Sequence, residues 1–230
     1  MVARRALLTL ALLTASSLTA CAPEPEATLF IRGSGRAAAG PVAAPQDLAA
    51  TSGDPASLLV GLHALHVSAN ADCSAPVLVE DLGAASLVVD FMADPLLFSG
   101  SPPDGRYACV MIGMSDVLRM KPVDTFGDCT AGVEVFADVY RAGESDWKDT
   151  SGAPVIGHGT DTAPADDGVT IFLTRDPDAA LARGLSPHQL VELGSDLVVP
   201  GTSTFVWDAA GSVVSEGGRC AVNPGVPSFQ

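Results

Sequence analysis

The sequence predicts an all-β protein, an antiparallel β-sandwich with one short helix. Two observations point to this fold class. The 230 residues include 23 glycines and 17 prolines, and aromatic residues make up only 5%, which is typical of turn-rich β proteins rather than helical bundles. From residue 58 onward, short apolar runs alternate with clusters of proline, glycine and aspartate, as expected for a sandwich of many short strands.

The apolar runs have the period of a strand. In the run 133–140, valines and Ala137 fall on one face, whereas Glu134 and Asp138 fall on the other, so the period is two residues rather than 3.6. The predicted strands are residues 58–67, 77–81, 86–91, 106–114, 133–140, 169–174, 189–199, 204–208 and 213–216. Turn sequences at 102–105 and 208–211 predict hairpin joints.

One helix is predicted after residue 176. Asp176 is a good N-cap, Pro177 fits the first helical position, and residues 179–182 are Ala-Ala-Leu-Ala. Gly184 suits the left-handed stop. A helix of about two turns is too short to be stable alone, so we expect it to pack across an edge of the sandwich.

The N-terminal residues predict an export signal. Arg4 and Arg5 precede the apolar run 6–15, which has about half of the roughly 20 residues that span a bilayer. The sequence Leu-Thr-Ala-Cys at 18–21 resembles the lipobox of bacterial lipoproteins. The resemblance implies a signal peptide at 1–20 and a diacylglyceryl group on Cys21, and the alternative is a plain secretory signal.

The same resemblance implies a location in the bacterial cell envelope. Ala22 stands where the sorting rule of enterobacterial lipoproteins would place aspartate for inner-membrane retention, which favours the outer membrane. The lipid anchor would then be the contact with the membrane, because the acidic chain should be repelled by anionic headgroups.

The net charge excludes nucleic acid as an expected partner. The chain carries 12 basic and 27 acidic residues, for a charge of −15. Removing residues 1–20 deletes two arginines and no acids, so the mature balance is 10 − 27 = −17. Binding phosphates needs basic patches, whereas an acidic balance is typical of solubility and is compatible with divalent cations.

The cysteines predict two disulfides. With Cys21 lipidated, four remain in an oxidising compartment: Cys73, Cys109, Cys129 and Cys220. Zinc is the weaker alternative, because no pair has the close spacing of structural zinc sites. Three pairings are open, and we prefer Cys109 with Cys129 and Cys73 with Cys220.

Residues 21–56 are rich in proline, alanine and glycine and predict a disordered tether after the lipidated N-terminus. The segment Leu29-Phe30-Ile31 is an apolar run within this tether, and its alternative interpretation is an edge strand. The β-sandwich domain is expected at 57–230, with an acidic loop at 141–168.

A further resemblance covers roughly residues 58–140. The apolar segment Pro-Leu-Leu-Phe at 95–98, followed by Gly105-Arg106-Tyr107 at the start of a strand, resembles prealbumin-like or Cna-B-like domains of unknown function in bacterial lipoproteins. It implies a Greek-key sandwich of seven or eight strands with a surface or binding role, and it carries no catalytic residues.

Metal sites have weak support. Asp161, Asp166 and Asp167 in the acidic loop supply oxygen ligands for calcium, but they lack the rhythm of a calcium loop, so a solvated loop without cofactor is the preferred interpretation. His63 and His66 lie in a predicted strand, where residues three apart point to opposite faces and cannot share an ion.

Catalytic motifs are also weak. Asp149, His158 and Ser203 follow the chain order of subtilisin-like proteases, but 45 positions between the last two are too few for that fold. We therefore expect an envelope lipoprotein that is not an enzyme, with a binding or structural domain for an unknown protein or glycan. The alternatives are an envelope hydrolase with a site built from scattered residues, and a calcium-binding surface module.

Overall fold

The computed structural model describes residues 27–35, 52–83, 86–138, 166, 168–222 and 227–230. These residues form seventeen strands, so the all-β prediction is confirmed. The strands are Leu29–Ser34 (β1), Ser52–Gly53 (β2), Pro55–Ser68 (β3), Val77–Asp81 (β4), Leu87–Asp90 (β5), Leu96–Gly100 (β6), Gly105–Tyr107 (β7), Cys109–Met114 (β8), Val117–Pro122 (β9), Val135–Asp138 (β10), Val169–Thr174 (β11), Leu190–Glu192 (β12), Leu197–Val199 (β13), Gly201–Val206 (β14), Val213–Glu216 (β15), Arg219–Val222 (β16) and Ser228–Phe229 (β17).

Two larger sheets share one hydrophobic core, as in a sandwich. One has four strands in the order β17-β14-β1-β6, and the other has the order β10-β9-β3-β8-β11-β12, with β4 and β5 also paired to β3. Two small sheets, β13-β7 and β16-β15-β2, complete the fold. The core joins Leu29 and Ile31 of the first sheet to Leu58, Leu65 and Ile112 of the second.

The sheets are mixed, so the prediction of a purely antiparallel sandwich is wrong. β1 pairs with β14 in parallel, and so does β11 with β12. Parallel neighbours need a crossover connection. Between β11 and β12 the short helix supplies it, and between β1 and β14 most of the chain intervenes.

The predicted tether contains a central strand, which corrects that part of the prediction. β1 lies between β14 and β6, and Leu29 and Ile31 are fully buried. β2 and the start of β3 are also inside the predicted tether. Alternating burial along β1, with Phe30 and Arg32 exposed, is the signature of a paired strand. Residues 21–26 and 36–51 of the predicted tether lie outside the described residues.

The predicted helix is confirmed as Pro177–Ala182 (α1). The Asp176 Oδ1 atom accepts a hydrogen bond from the Ala179 amide at 3.0 Å, and Gly184 has a φ of +96°, which glycine adopts without strain. Among the described residues, no helix has the length and apolar character needed to cross a bilayer.

Both predicted disulfides form, but the preferred pairing is wrong: the bonds are Cys73–Cys109 and Cys129–Cys220. Ser68 at the end of β3 pairs with Cys109 at the start of β8, so the turn after β3 brings Cys73 beside it. Cys129 lies in the segment between β9 and β10, two strands of the large sheet. Its disulfide with Cys220 on β16 therefore joins a small sheet to the large one.

The two predicted hairpin joints turn between sheets instead. Residues 102–105 lead from β6, which pairs with β1, to β7, which pairs with β13. Residues 208–211 lead from β14 to β15, which also belong to different sheets. The predicted strand 189–199 is likewise divided into β12 and β13, in separate sheets.

An aromatic cluster fills the core near the end of β14. Phe91, Phe205 and Trp207 are at most 1% exposed, and their ring centroids lie 5.9 to 6.1 Å apart in edge-to-face arrangements. The Trp207 amide donates to the Ser34 carbonyl at 2.8 Å, so the cluster also fixes the end of β1.

Candidate functional site

The candidate site begins at an irregularity in the large sheet. β8 and β9 both run antiparallel to β3 and continue one another along it: Leu62 pairs with Met114, and Leu59 pairs with Arg119. The two residues of β3 between Leu59 and Leu62 therefore lie opposite the four residues between Met114 and Arg119. This is a bulge, and it begins at Ser115. Bulges redirect side chains out of the regular alternation and are frequent beside functional sites.

A second irregularity lies at His63 in β3. The register with β8 shifts between Leu62 and Ala64, so His63 is an extra residue. Buried core residues are even-numbered before it and odd-numbered after it, as at Leu62 and Leu65. His63 and His66 therefore both fall on the face away from this core, and the prediction that they face opposite sides is wrong.

The predicted acidic loop joins the sheet at this bulge. β10 ends with Asp138 opposite Val117, whereas β11 begins with Val169 opposite Met114. The sheet is thus split next to residues 115 and 116. Of the three predicted calcium ligands, Asp161 and Asp167 lie outside the described residues. Within the described ranges, no three His, Cys, Asp or Glu side chains are grouped to hold a metal ion.

The third predicted ligand, Asp166, forms a pair of carboxyl groups with Asp116. Asp116 is fully buried and Asp166 is exposed, and the side chain of Asp116 acts to lower the pKa of Asp166.

The surroundings of Asp166 favour its charged form. Burial acts to raise the pKa of Asp166, whereas hydrogen bonds from the side chains of Ser115 and Asp116 act to lower it. The Gly168 amide, which donates to Oδ1 at 3.1 Å, and the nearby positive charge of His63 act in the same direction. The pKa of Asp166 is therefore lowered from its ordinary value of 3.8.

This shift predicts a small loss of stability in acid. A carboxyl group with a lowered folded-state pKa stabilises the protein fully above its unfolded value of 3.8 and loses that contribution as the pH falls through the folded value. The Asp166→Asn variant should therefore show a shallower decline in the free energy of unfolding below pH 3.8 than the wild type. The difference should stay under about 1 kcal/mol, because the carboxylate is exposed to solvent.

Urea denaturation from pH 6 down to pH 2.5 measures the effect. Asp124→Asn, at an exposed loop aspartate, is the matched control and should keep the wild-type slope. Equal slopes for the wild type and Asp166→Asn would contradict the shift.

A cleft of about 340 Å³ lies beside the carboxyl pair, on the face of the large sheet away from the core. We call it the outer cleft, and its lining residues are Gly61, Ser86, Val88, Ser115, Val117, Arg119, Phe136 and Asp166. Gly61 forms its floor, because a Cβ there would lie 3.1 Å from the Ser115 Cβ. The volume falls at the lower end of ligand pockets, which measure about 300–1,000 Å³.

Arg119 stands out among the basic side chains of this sheet. It is half-buried on β9, yet it makes no hydrogen bond or ion pair with any residue in the described part of the chain. By contrast, the Lys121 ammonium lies 3.9 Å from Glu134, and the Arg175 guanidinium lies 3.6 Å from Asp196. A half-buried guanidinium without a counter-charge is suited to an anionic group of a ligand.

Ser115 serves the structure of the bulge. Its hydroxyl oxygen accepts a hydrogen bond from the Val117 amide at 3.1 Å. The hydroxyl donates to the Val117 carbonyl at 3.2 Å, and it also acts to lower the pKa of Asp166. Asp149 and His158, the other members of the subtilisin-like motif, lie outside the described residues, whereas Ser203 lies on β14 opposite Ile31.

Sequence reasoning found Asp166 but missed Asp116 and Arg119. Asp116 stands in the short step Ser115-Asp116 between two apolar runs, and a polar pair inside a long apolar segment is the signal that marks a bulge. Arg119 alternates with buried Leu118 and Met120, which identifies only an outward-facing strand residue. No protein-family model, no curated protein and no solved structure matches this chain.

Proposed function

We propose that this protein is a lipoprotein of the bacterial cell envelope, exported and anchored through Cys21, whose β domain binds a small ligand in the outer cleft without catalysing a reaction. The single observation that carries the binding role is the half-buried Arg119, which has no ion-pair partner among the described residues, in a cleft that also presents the Asp166 carboxylate.

The disulfides support export and leave Cys21 for lipidation. The chain has five cysteines, and four of them are consumed by Cys73–Cys109 and Cys129–Cys220. Disulfides persist in oxidising compartments and are rare in the cytosol. Cys21 has no remaining cysteine of the chain to pair with, and its thiol is available for acylation at the lipobox.

The arrangement of the cleft supports binding rather than chemistry. Asp116 is fully buried behind Asp166, and the Ser115 hydroxyl is occupied by neighbours in its own bulge. Arg119 lies on a regular strand, β9, and Asp166 lies three residues before β11. Envelope hydrolysis remains the alternative proposal.

Two finer points belong to the same proposal. A prealbumin-like Greek-key relationship is supported by the order of β6 and β7, which match the apolar segment and the Gly-Arg-Tyr strand of the resemblance. Parallel pairing of β1 with β14 lies outside that pattern. The outer membrane is favoured because Ala22 follows the lipidation site.

The anchor is tested by labelling cells with a fatty-acid analogue. The wild-type protein should carry the label and fractionate with membranes, whereas Cys21→Ser should be unlabelled. Two or three acyl chains bind a bilayer firmly because each buried methylene contributes about 0.8 kcal/mol. Cys73→Ser is the matched control, since it removes a different cysteine and should keep the label. Equal labelling of the wild type and Cys21→Ser would refute lipidation.

A further inference from the structure

We propose that the outer cleft binds an amphiphilic monoanion, that is, a small organic acid with one negatively charged head on Arg119 and a hydrocarbon body on the apolar lining. This inference rests on the proposed binding function and names the chemical class of the ligand. It depends on the cross-strand neighbours of Arg119, on the other charge in the cleft and on the apolar side chains that line it.

Arg119 lacks the acidic neighbour that the next basic residue of the same strand has. Arg119 and Lys121 lie two positions apart on β9 and therefore point to the same face. The Lys121 ammonium has Glu134 at 3.9 Å. Arg119 instead pairs with Phe136 on β10 and with Leu59 on β3. Its cross-strand neighbours on both sides are apolar, so neither of them can neutralise the guanidinium.

A further acidic residue continues this row of side chains, but it is engaged elsewhere. Leu59 pairs on its other side with Asp90 of β5, so β3 lies between Asp90 and Arg119. The Asp90 Oδ1 atom accepts hydrogen bonds from the amides of Leu58 and Met92, each at 3.0 Å. Arg119 is half-buried and therefore only partly hydrated. A counter-charge from a ligand would stabilise it more than it would stabilise an exposed arginine.

The charges of the lining favour a ligand with one negative charge. Among the described residues that line the cleft, Arg119 is the only basic side chain, and Asp166 brings a carboxylate to the same cleft. A second negative charge on the ligand would have no cationic partner there and would be repelled by Asp166. Asp166 does not require a ligand cation, because it is exposed to water and its Oδ1 atom accepts a hydrogen bond from the Gly168 amide at 3.1 Å.

The rest of the lining favours a hydrocarbon body. Val88, Val117 and Phe136 line the cleft, and Val88 is 47% exposed although it is a large apolar side chain. An apolar ligand body would cover this surface and remove it from water. A sugar acid would place hydroxyl groups against side chains that offer no hydrogen-bond partner, so an acid with an aliphatic or aromatic body fits the cleft better.

Titration calorimetry on the oxidised mature protein tests the inference with 3-phenylpropionate and three relatives, each of which differs from it in one respect. The primary amide lacks the charge, and propionate lacks the aromatic body. Each of these two should bind about 10- to 100-fold more weakly than 3-phenylpropionate, because it loses a charged hydrogen bond or the burial of a ring. Phenylalanine adds an ammonium group and should bind no more tightly than 3-phenylpropionate.

Two variants place the ligand in the cleft. Arg119→Gln should weaken 3-phenylpropionate by about 10- to 100-fold and remove its advantage over the amide. Val88→Asp puts a carboxylate on the apolar lining and should weaken 3-phenylpropionate by about 10-fold or more. The matched controls are Arg32→Gln, at an exposed arginine on β1, and Val198→Asp, at a valine on β13 that is 46% exposed. Both controls should bind like the wild type, and thermal melts establish that each variant is folded.

The outcomes separate this inference from the binding function on which it rests. If propionate binds as tightly as 3-phenylpropionate, or phenylalanine binds more tightly, and Arg119→Gln weakens that binding, the cleft is a binding site and the assignment to an amphiphilic monoanion is overturned. If the amide binds as tightly as the acid and only Val88→Asp weakens both, the cleft binds an apolar ligand and the anionic head is overturned. If none of the four compounds binds, or if neither variant weakens binding, both the assignment and the binding function of the cleft are refuted.

Discussion

Replacing Trp207 with alanine is expected to lower the free energy of unfolding by about 3–5 kcal/mol, the usual cost of removing a large aromatic side chain from a core. Trp207 is fully buried against Phe91 and Phe205. The surrounding rings come from different elements, so they can fill the cavity left by the Trp207 side chain only in part. Urea denaturation of the purified mature protein, with both disulfides intact, measures the change.

A matched control is available on the opposite side of the same sheet. Phe30 on β1 is 37% exposed, and Phe30→Ala should cost about 1 kcal/mol, as is typical of a partly exposed site. A similar cost for the two variants would mean that the aromatic cluster is not the centre of this part of the core.

Removal of the Cys129–Cys220 disulfide should have an effect of similar size. The bond closes a loop with a sequence separation of 91 residues, and the chain-entropy model gives about 4.5 kcal/mol for a loop of this length. The double variant Cys129→Ala with Cys220→Ala tests this by urea denaturation. Alanine avoids placing a hydroxyl group at Cys129, which is fully buried.

The other disulfide provides the comparison. Cys73–Cys109 closes a shorter loop, with a separation of 36 residues, so its removal by a double alanine variant should cost about 4 kcal/mol, somewhat less than the longer loop. If removing Cys129–Cys220 costs less than 1 kcal/mol, the three-stranded sheet is held to the large sheet by its other contacts rather than by this bond.

Local features of the fold could be predicted from the sequence. β4, β11 and β15 begin and end at the residues that the sequence pattern predicts. A strand with one buried face has apolar residues at every second position, so its period can be recognised in the sequence. The cap of α1 was equally local, since Asp176 and Pro177 act within one turn of the helix.

Pairing between distant segments could not be predicted. β1 has only six residues and lies in a proline-rich region, so its identity as a strand comes from its partners β14 and β6 rather than from its own composition. The disulfide pairing depends in the same way on which strands are neighbours. The short separation of Cys109 and Cys129 in the sequence carries no information about sheet order.

The candidate site was hidden for a related reason. Asp166 was visible as an acidic residue, but its partner Asp116 is 50 positions away in sequence, and the bulge that joins them exists only because β8 and β9 pair with the same strand. Arg119 had an ordinary place in a strand pattern. Its significance lies in the absence of a counter-charge among the described residues, which depends on three-dimensional packing.

The position of β1 limits how far the domain can travel from a membrane. If Cys21 carries the proposed lipid, Leu29 follows it by only eight positions, a distance of at most about 28 Å even in a fully extended chain. A domain of about 200 residues measures roughly 40 Å across. The segment between the lipid and the domain is therefore shorter than the diameter of the domain. With the proposed anchor, the domain would sample only the layer next to the bilayer, and a ligand would have to diffuse to the lipid surface to be bound.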